Sequence, residues 1–207
     1  PKHQTFYTDI FFINGESYLI SVSRPLDLKK KKKIDSTSTN DVKTGIKNQL
    51  TLMTAKGFII TIMHTDGGFN TLTEYIRSKG IDHQIAAAGQ HVSIVERKIR
   101  HLKETIRTIL HSLPFHLAKF LFPYLVSFST RCINIQITKN SINKTNPLEN
   151  FMERKLDYEL DLRVFFGQSV QLHTPETSNN MDPRTSAGIA LLHTNNKKGS
   201  VLFFDIN

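Results

Sequence analysis

Apolar residues recur along this chain with two periods, near 2 and near 3.6, and the alternation between them predicts its elements. Residues 5–13 (TFYTDIFFI) are dense in β-branched and aromatic side chains and read as a largely buried strand. Asn14-Gly15 supplies a hairpin turn, and residues 16–23 (ESYLISVS) form the return strand. Residues 24–40 change character, with five consecutive lysines at 29–33 and then a Ser, Thr and Asn stretch. This reads as a solvated loop or insertion without a third strand. Val42, Ile46, Leu50 and Met53, spaced 4, 4 and 3, mark a helix face over 41–56, with Asn40 or Asp41 as cap and Gly57 as stop. Residues 58–63 (FIITIM) form a short buried strand that ends in Asp66-Gly67-Gly68. A short helix is expected over 71–78.

The longest pattern follows at 91–111, where Val92, Val95, Ile99, Leu102, Ile106 and Ile109 repeat at 3, 4, 3, 4 and 3. Leu113-Pro114 breaks it. Residues 115–135 read as a second helix of core residues, interrupted near Pro123. A polar stretch at 139–147 (KNSINKTNP) is a linker. Beyond it lie an acidic patch (Asp157, Glu159, Asp161) and three strand candidates at 169–172, 188–192 and 201–204. The order hairpin, helix, strand, helices predicts an α/β chain whose mixed sheet carries helices.

Charge narrows the partners. Lys and Arg total 27 against 18 Asp and Glu, for a net +9 and a pI near 9.7. Such an excess favours polyanions, nucleic acid or an anionic membrane surface. The most apolar stretch, 120–130, is 11 residues long, against about 20 for a membrane span. No signal peptide opens the chain, and the expectation is a soluble protein with no membrane partner. Cys132 is the single cysteine, which excludes an intrachain disulfide and reads as a buried thiol. The nine histidines form no HExxH pattern and have no Cys pairs beside them, against a zinc site. Because the chain starts at Pro1 and ends directly after an apolar run, it is expected to be a fragment of a longer polyprotein.

Three carboxylates stand out. Asp9 lies inside an apolar strand, where a charge is costly unless neutralised; the plainer alternative is a strand-edge Asp facing water. Asp66 follows a buried strand, where open sheets present their sites, or else it serves a simple Asp-Gly turn. Glu96 forms an S-x-x-E capping box with Ser93, or it heads a basic stripe. At 100° per residue, Glu96, Arg100, Lys103 and Arg107 share one side of the helix. Between Arg97 and Arg107 there are five basic residues and one Glu, Glu104. The stripe suits a bound phosphate backbone or a solvated face.

In this order the segments resemble a known family. Residues 91–104 (HVSIVERKIRHLKE), with Leu113-Pro114-Phe115 behind them, are similar to the catalytic-glutamate helix of copia-type LTR retrotransposon integrases. Thr65-Asp66-Gly67-Gly68-Phe69 resembles their second-aspartate motif. Asp9-Ile10-Phe11-Phe12, with Ser21-Val22-Ser23-Arg24-Pro25-Leu26, resembles the first-aspartate segment, and Phe166-Gly167 with the strands after it resembles the post-catalytic region. The resemblance implies a ribonuclease H-like mixed sheet flanked by helices, with a small β-rich C-terminal extension. It divides the chain into a catalytic core (1–138), a linker (139–150) and an incomplete post-catalytic extension (151–207). It implies a D,D,E triad of Asp9, Asp66 and Glu96 as catalytic and metal ligands, and DNA contacts from Arg97, Arg100, Lys103 and Arg107. Three carboxylates brought together repel unless cations sit among them. Two Mg2+ or Mn2+ ions suit oxygen ligands and an in-line displacement. The implied activity is DNA 3′-end processing and strand transfer into target DNA, by a homo-oligomer working in the nucleus. Asp66 and Glu96 are 30 residues apart, a shorter spacing than the family commonly shows, as a truncated or decaying copy would have. The competing readings are a non-catalytic DNA-binding module derived from an integrase and a ribonuclease H-like nuclease.

Overall fold

The computed structural model describes residues 2–87, 92–138, 141–173, 181 and 183–206. His91, Lys139 and Asn140, named in the helix and linker expectations, lie outside the described residues. The described chain divides into two units, Pro1–Thr105 with Thr130–Arg154, and Ile106–Ser129 with Lys155–Asn207.

In the first unit the expected hairpin forms between β1 (His3–Ile13) and β2 (Glu16–Arg24). Asn14 (φ 50°) and Gly15 (φ 80°) both take the left-handed backbone that a tight hairpin turn demands. Strand β2 is buried almost throughout. It pairs on its far side with β3 (Lys29–Ile34), so the lysine run is a strand, contrary to the solvated loop expected from its composition. The physical reason is that lysine carries a long aliphatic stem that packs while its ammonium finds a partner. Lys30 Nζ sits 3.6 Å above the Phe151 ring, Lys33 pairs with Glu16 at 2.8 Å, and Lys29 is buried against Asp27.

Helix α1 (Thr39–Ala55) follows, capped by Ser38, whose side chain accepts from the Asp41 amide. Its buried residues Val42, Gly45, Ile46, Gln49 and Met53 keep the helical spacing read from the sequence. Gly45 costs the helix about 1 kcal/mol against Ala. A Cβ there would stand 2.9 Å from Leu19 Cδ2, so glycine lets α1 lie close on β2. Strand β4 (Ile59–Thr65) then runs parallel to β1, and a 3-10 turn (Gly67–Leu72) leads into α2 (Thr73–Arg77). A fifth strand, β5 (Asp82–Ile85), is parallel to β4 and gives the order β3-β2-β1-β4-β5. Phe6, Leu19, Ile46, Met53, Met63, Phe69 and Ile76 form the core beneath α1.

The long helix α3 (Ser93–Ser112) buries Val95, Leu102 and Ile106 along the predicted stripe. Helix α4 (Phe122–Asn134) starts later than the helix expected from residue 115, and Pro123 lies in its first turn, where a missing N–H costs nothing. Phe120 and Tyr124 are exposed, whereas Leu121, Leu125 and Val126 are buried, so only part of this segment is core. The first unit also contains α5 (Pro147–Met152), whose Phe151 stacks on Phe58.

In the second unit α6 (Tyr158–Asp161) precedes an antiparallel sheet of β6 (Ser169–His173), β7 (Thr185–His193) and β8 (Val201–Asp205). The acidic patch resolves into local capping: Asp157 accepts from the Glu159 and Leu160 amides, and Asp161 accepts from the Asp157 amide. Among the described residues, no helix is long and apolar enough to cross a membrane.

Candidate active site

Tyr7 on β1 and His64 on β4 form the last rung between these parallel strands, and their rings stack with centroids 4.7 Å apart. Side chains return to the same face of a strand every second residue. Asp9 and Asp66 each lie two residues beyond this last rung, Asp66 just after the end of β4. At Asp9, β1 pairs with Ile20 of β2, while its ladder with β4 ends before it at Tyr7. Asp9 is half-buried and its Oδ1 accepts from the Ile10 amide at 2.7 Å. Asp66 keeps extended backbone (φ −80°, ψ 179°), and its Oδ1 accepts from the Gly68 amide at 3.1 Å. Asp66 thus caps the turn with one oxygen and follows directly on the end of β4.

Glu96 lies one turn into α3. The Val92 carbonyl accepts from the Val95 and Glu96 amides at 3.0 and 3.2 Å, so Ser93 is inside the first turn and the capping box is not formed. Val92, Ser93 and Ile94 line a cleft of about 290 Å3 together with Tyr7, His64 and Thr65. The start of α3 thus lies against the sheet face that carries the stacked rings, and Glu96 follows on the same helix. Asp9, Asp66 and Glu96 are all half-buried. In kind, three carboxylates fit a hard divalent cation. In position, no three His, Cys, Asp or Glu side chains among the described residues are grouped to hold one.

This chain is similar in structure to the catalytic core domain of BIV integrase, with a TM-score of 0.54, over 72% of this chain and 93% of that one. The fold is ribonuclease H-like. Sequence identity to that domain is 15%, so the likeness concerns the fold alone. No protein-family model and no curated protein matches the chain.

On this ribonuclease H-like frame, α3 presents its basic residues unequally. Arg97, Arg100 and Arg107 are exposed and Lys103 is half-buried, while Arg97 Nε donates back to the Ser93 carbonyl at 3.2 Å. The structure also brings forward residues that spacing did not reveal. His83 bridges Thr65 Oγ1 (2.8 Å) and Thr73 Oγ1 (3.0 Å), tying β5 to the end of β4 beside Asp66. Burial, helped by the Arg77 charge, lowers its pKa and keeps it neutral. His64 is lowered by burial as well. His83 stands between Asp82 and Gln84, with Ile81 and Ile85 beyond them, a pattern that a search for metal spacing passes over. Cys132, expected to be a buried thiol, is partly buried and its pKa is pushed up to about 11 by burial, so it is a poor nucleophile.

Proposed function

We propose that this chain is the core of a copia-type retrotransposon integrase, a D,D,E polynucleotidyl transferase with Asp9, Asp66 and Glu96 as its catalytic and metal-binding carboxylates. The observation that supports the reading is the β1–β4 ladder of a ribonuclease H-like sheet, whose last rung, Tyr7 with His64, lies two residues before Asp9 and Asp66 and shares a cleft with the start of α3. In this reading residues 1–138 are the catalytic core, 139–150 the linker and 151–207 a post-catalytic extension, and the working form is a homo-oligomer in the nucleus.

Each residue then has a role. Asp9 and Asp66 turn from their local amides toward each other, and Glu96 supplies the third oxygen donor from α3. Mg2+ or Mn2+ held by the three would activate a water or a DNA 3′-hydroxyl and stabilise the leaving oxygen. Arg97, Arg100, Lys103 and Arg107 hold phosphates of element ends and target DNA along the helix, positioning the reacting bond.

The test is incubation of the protein with a short duplex and Mg2+ or Mn2+, scoring 3′-end cleavage and joining to a second duplex. Asp9→Asn, Asp66→Asn and Glu96→Gln should each abolish both products while leaving duplex binding intact. Cleavage without joining would make the chain a nuclease. A second reading, a non-catalytic DNA-binding module, is favoured by the ungrouped carboxylates. Duplex binding with no product in either metal would establish that one instead.

A further inference from the structure

The corner between β2 and β3 holds a charge cluster built around one carboxylate. Asp27 is fully buried, with 0% exposure and a left-handed backbone of φ 56°. Its Oδ2 accepts from Lys29 Nζ at 3.0 Å and from Lys98 Nζ at 3.1 Å, and Arg24 Nε lies 3.5 Å from its Oδ1. Burial alone would raise the carboxyl, but Lys29 and Lys98 hold it below the ordinary carboxylate range. Lys29 is itself fixed by Asn134, whose amide accepts from the Lys29 N–H at 2.9 Å and donates to its carbonyl at 2.8 Å. The corner is further tied by the Leu26 amide, which donates to Gln4 Oε1 at 3.0 Å. Asp27 is thus a rigid acceptor, and Lys98 brings α3 to it.

Lys98 follows Glu96 by two positions, so the two side chains leave the helix about 200° apart. Whatever fixes the rotation of α3 at Lys98 therefore fixes the direction of Glu96. The apolar stripe of Val95 and Leu102 buries the helix but is non-directional and tolerates rotation. A charge-assisted hydrogen bond at 3.1 Å tolerates far less. We propose that Asp27 is a positioning residue, which through Lys98 sets the rotation of the first turns of α3 and so the placement of Glu96 relative to Asp9 and Asp66. The contact stands by itself; its consequence for metal binding rests on the integrase reading.

The test uses the full chain and two readouts that need no turnover: amide hydrogen exchange over residues 93–99, and Mn2+ binding followed by electron paramagnetic resonance. Lys98→Met keeps the stem and removes the charge. It should speed exchange over 93–99 about tenfold, the effect of ~1.4 kcal/mol, leave β1 and β4 protected, and weaken Mn2+ binding by a similar factor. Lys98→Arg should restore both. Asp27→Asn, which keeps a residue type that accepts positive φ, should reproduce the Lys98→Met pattern, and adding Lys98→Met to it should change exchange over 93–99 no further. Should Asp27→Asn not fold, the Lys98 pair decides alone. Unchanged exchange over 93–99 in Lys98→Met overturns the proposal. So does faster exchange with unchanged Mn2+ affinity, since Glu96 would then not depend on the clamp. If the parent binds no Mn2+ while Lys98→Met loosens the helix, the clamp is upheld and the integrase reading fails.

Discussion

Lys29 offers a test of whether the lysine run is the paired strand seen here, with its first lysine buried. Its side chain is 2% exposed and its ammonium lies 3.0 Å from Asp27. Burial pushes its pKa from 10.5 down to about 8, against the opposing pull of Asp27, with Lys98 and Arg24 adding to the depression. The unfolded chain titrates this group near 10.4. Between pH 8 and 10.5 the unfolded chain therefore binds a proton that the folded chain has released, and stability rises with pH across that window. Each pH unit is worth about 1.4 kcal/mol, so the whole window is worth roughly 3 kcal/mol. Burial lowers Lys30 and Lys31 to about 8 as well, which adds to the trend. Burial raises the Cys132 thiol to about 11 and lifts the Tyr18 and Tyr75 phenols above their ordinary values, so the stability these three contribute is lost as the pH climbs past their unfolded values. Subtraction isolates the lysine. Lys29→Met has a similar unbranched stem and no titrating group. Urea unfolding followed by circular dichroism from pH 7.5 to 10 should show the parent gaining on the variant by roughly 2 kcal/mol above pH 8. A gap that stays flat or narrows would refute the buried, proton-releasing Lys29 and with it the physical account of β3.

The other expectations concern the helix stripe, the acid side of the stability profile and the second unit. Replacing Arg100, Lys103 and Arg107 with Gln should weaken duplex binding and reduce the salt slope of log K by about 2.7, at about 0.9 per phosphate contact; titrations from 50 to 200 mM salt check this, and an unchanged slope would leave the stripe a solvated face. His83 is held neutral with its pKa below the ordinary 6.5, so the unfolded chain gains a proton first as pH falls and stability drops below about pH 6.5. His83→Gln should flatten that drop in thermal melts from pH 7 to 5, and an equal drop in the variant would place the acid sensitivity elsewhere. Gly167 has φ 83°, and a Cβ there would overlap Leu113 Cδ2. Gly167→Ala should lower unfolding stability by roughly 1–3 kcal/mol, and a melt matching the parent would show that this approach can relax.

Much of the frame is legible in the sequence because burial there follows period. The hairpin, α1, β4 and the apolar stripe of α3 each pair a clean repeat with a punctuating residue: Asn14-Gly15, Gly57 and Pro114. The failures share a different cause. Strand β3 is hidden because lysine is scored by its head group, while its packing is done by its stem; Lys30 over Phe151 is the clearest case. Strand β5 is hidden because Asp82, His83 and Gln84 carry no alternation, and its place comes from pairing with β4 and from the two threonines that hold His83. Pro123 reads as an interruption because the sequence does not show where the first turn of α4 begins.

The candidate site divides along the same line, between what backbone register decides and what side-chain partners decide. Asp9 lies two residues past Tyr7 and Asp66 two past His64, the last rung of the β1–β4 ladder; the sequence shows the two apolar strands but not their register, which shifts at Gln4/Thr5. Where the carboxylate oxygens point is set by competition. Asp9 Oδ1 takes the Ile10 amide and Asp66 Oδ1 takes the Gly68 amide, each contact worth on the order of 1 kcal/mol net. A divalent cation offers a carboxylate far more than one amide does, so such a contact is weak enough to yield to a cation. Asp27 is the contrasting case. It is fully buried among three cations, and losing that arrangement would strand a charge at a cost of roughly 3–5 kcal/mol. Half-buried Asp9 and Asp66 thus keep local amide contacts that a stronger ligand would displace, whereas Asp27 is held by cations from its own corner and from α3.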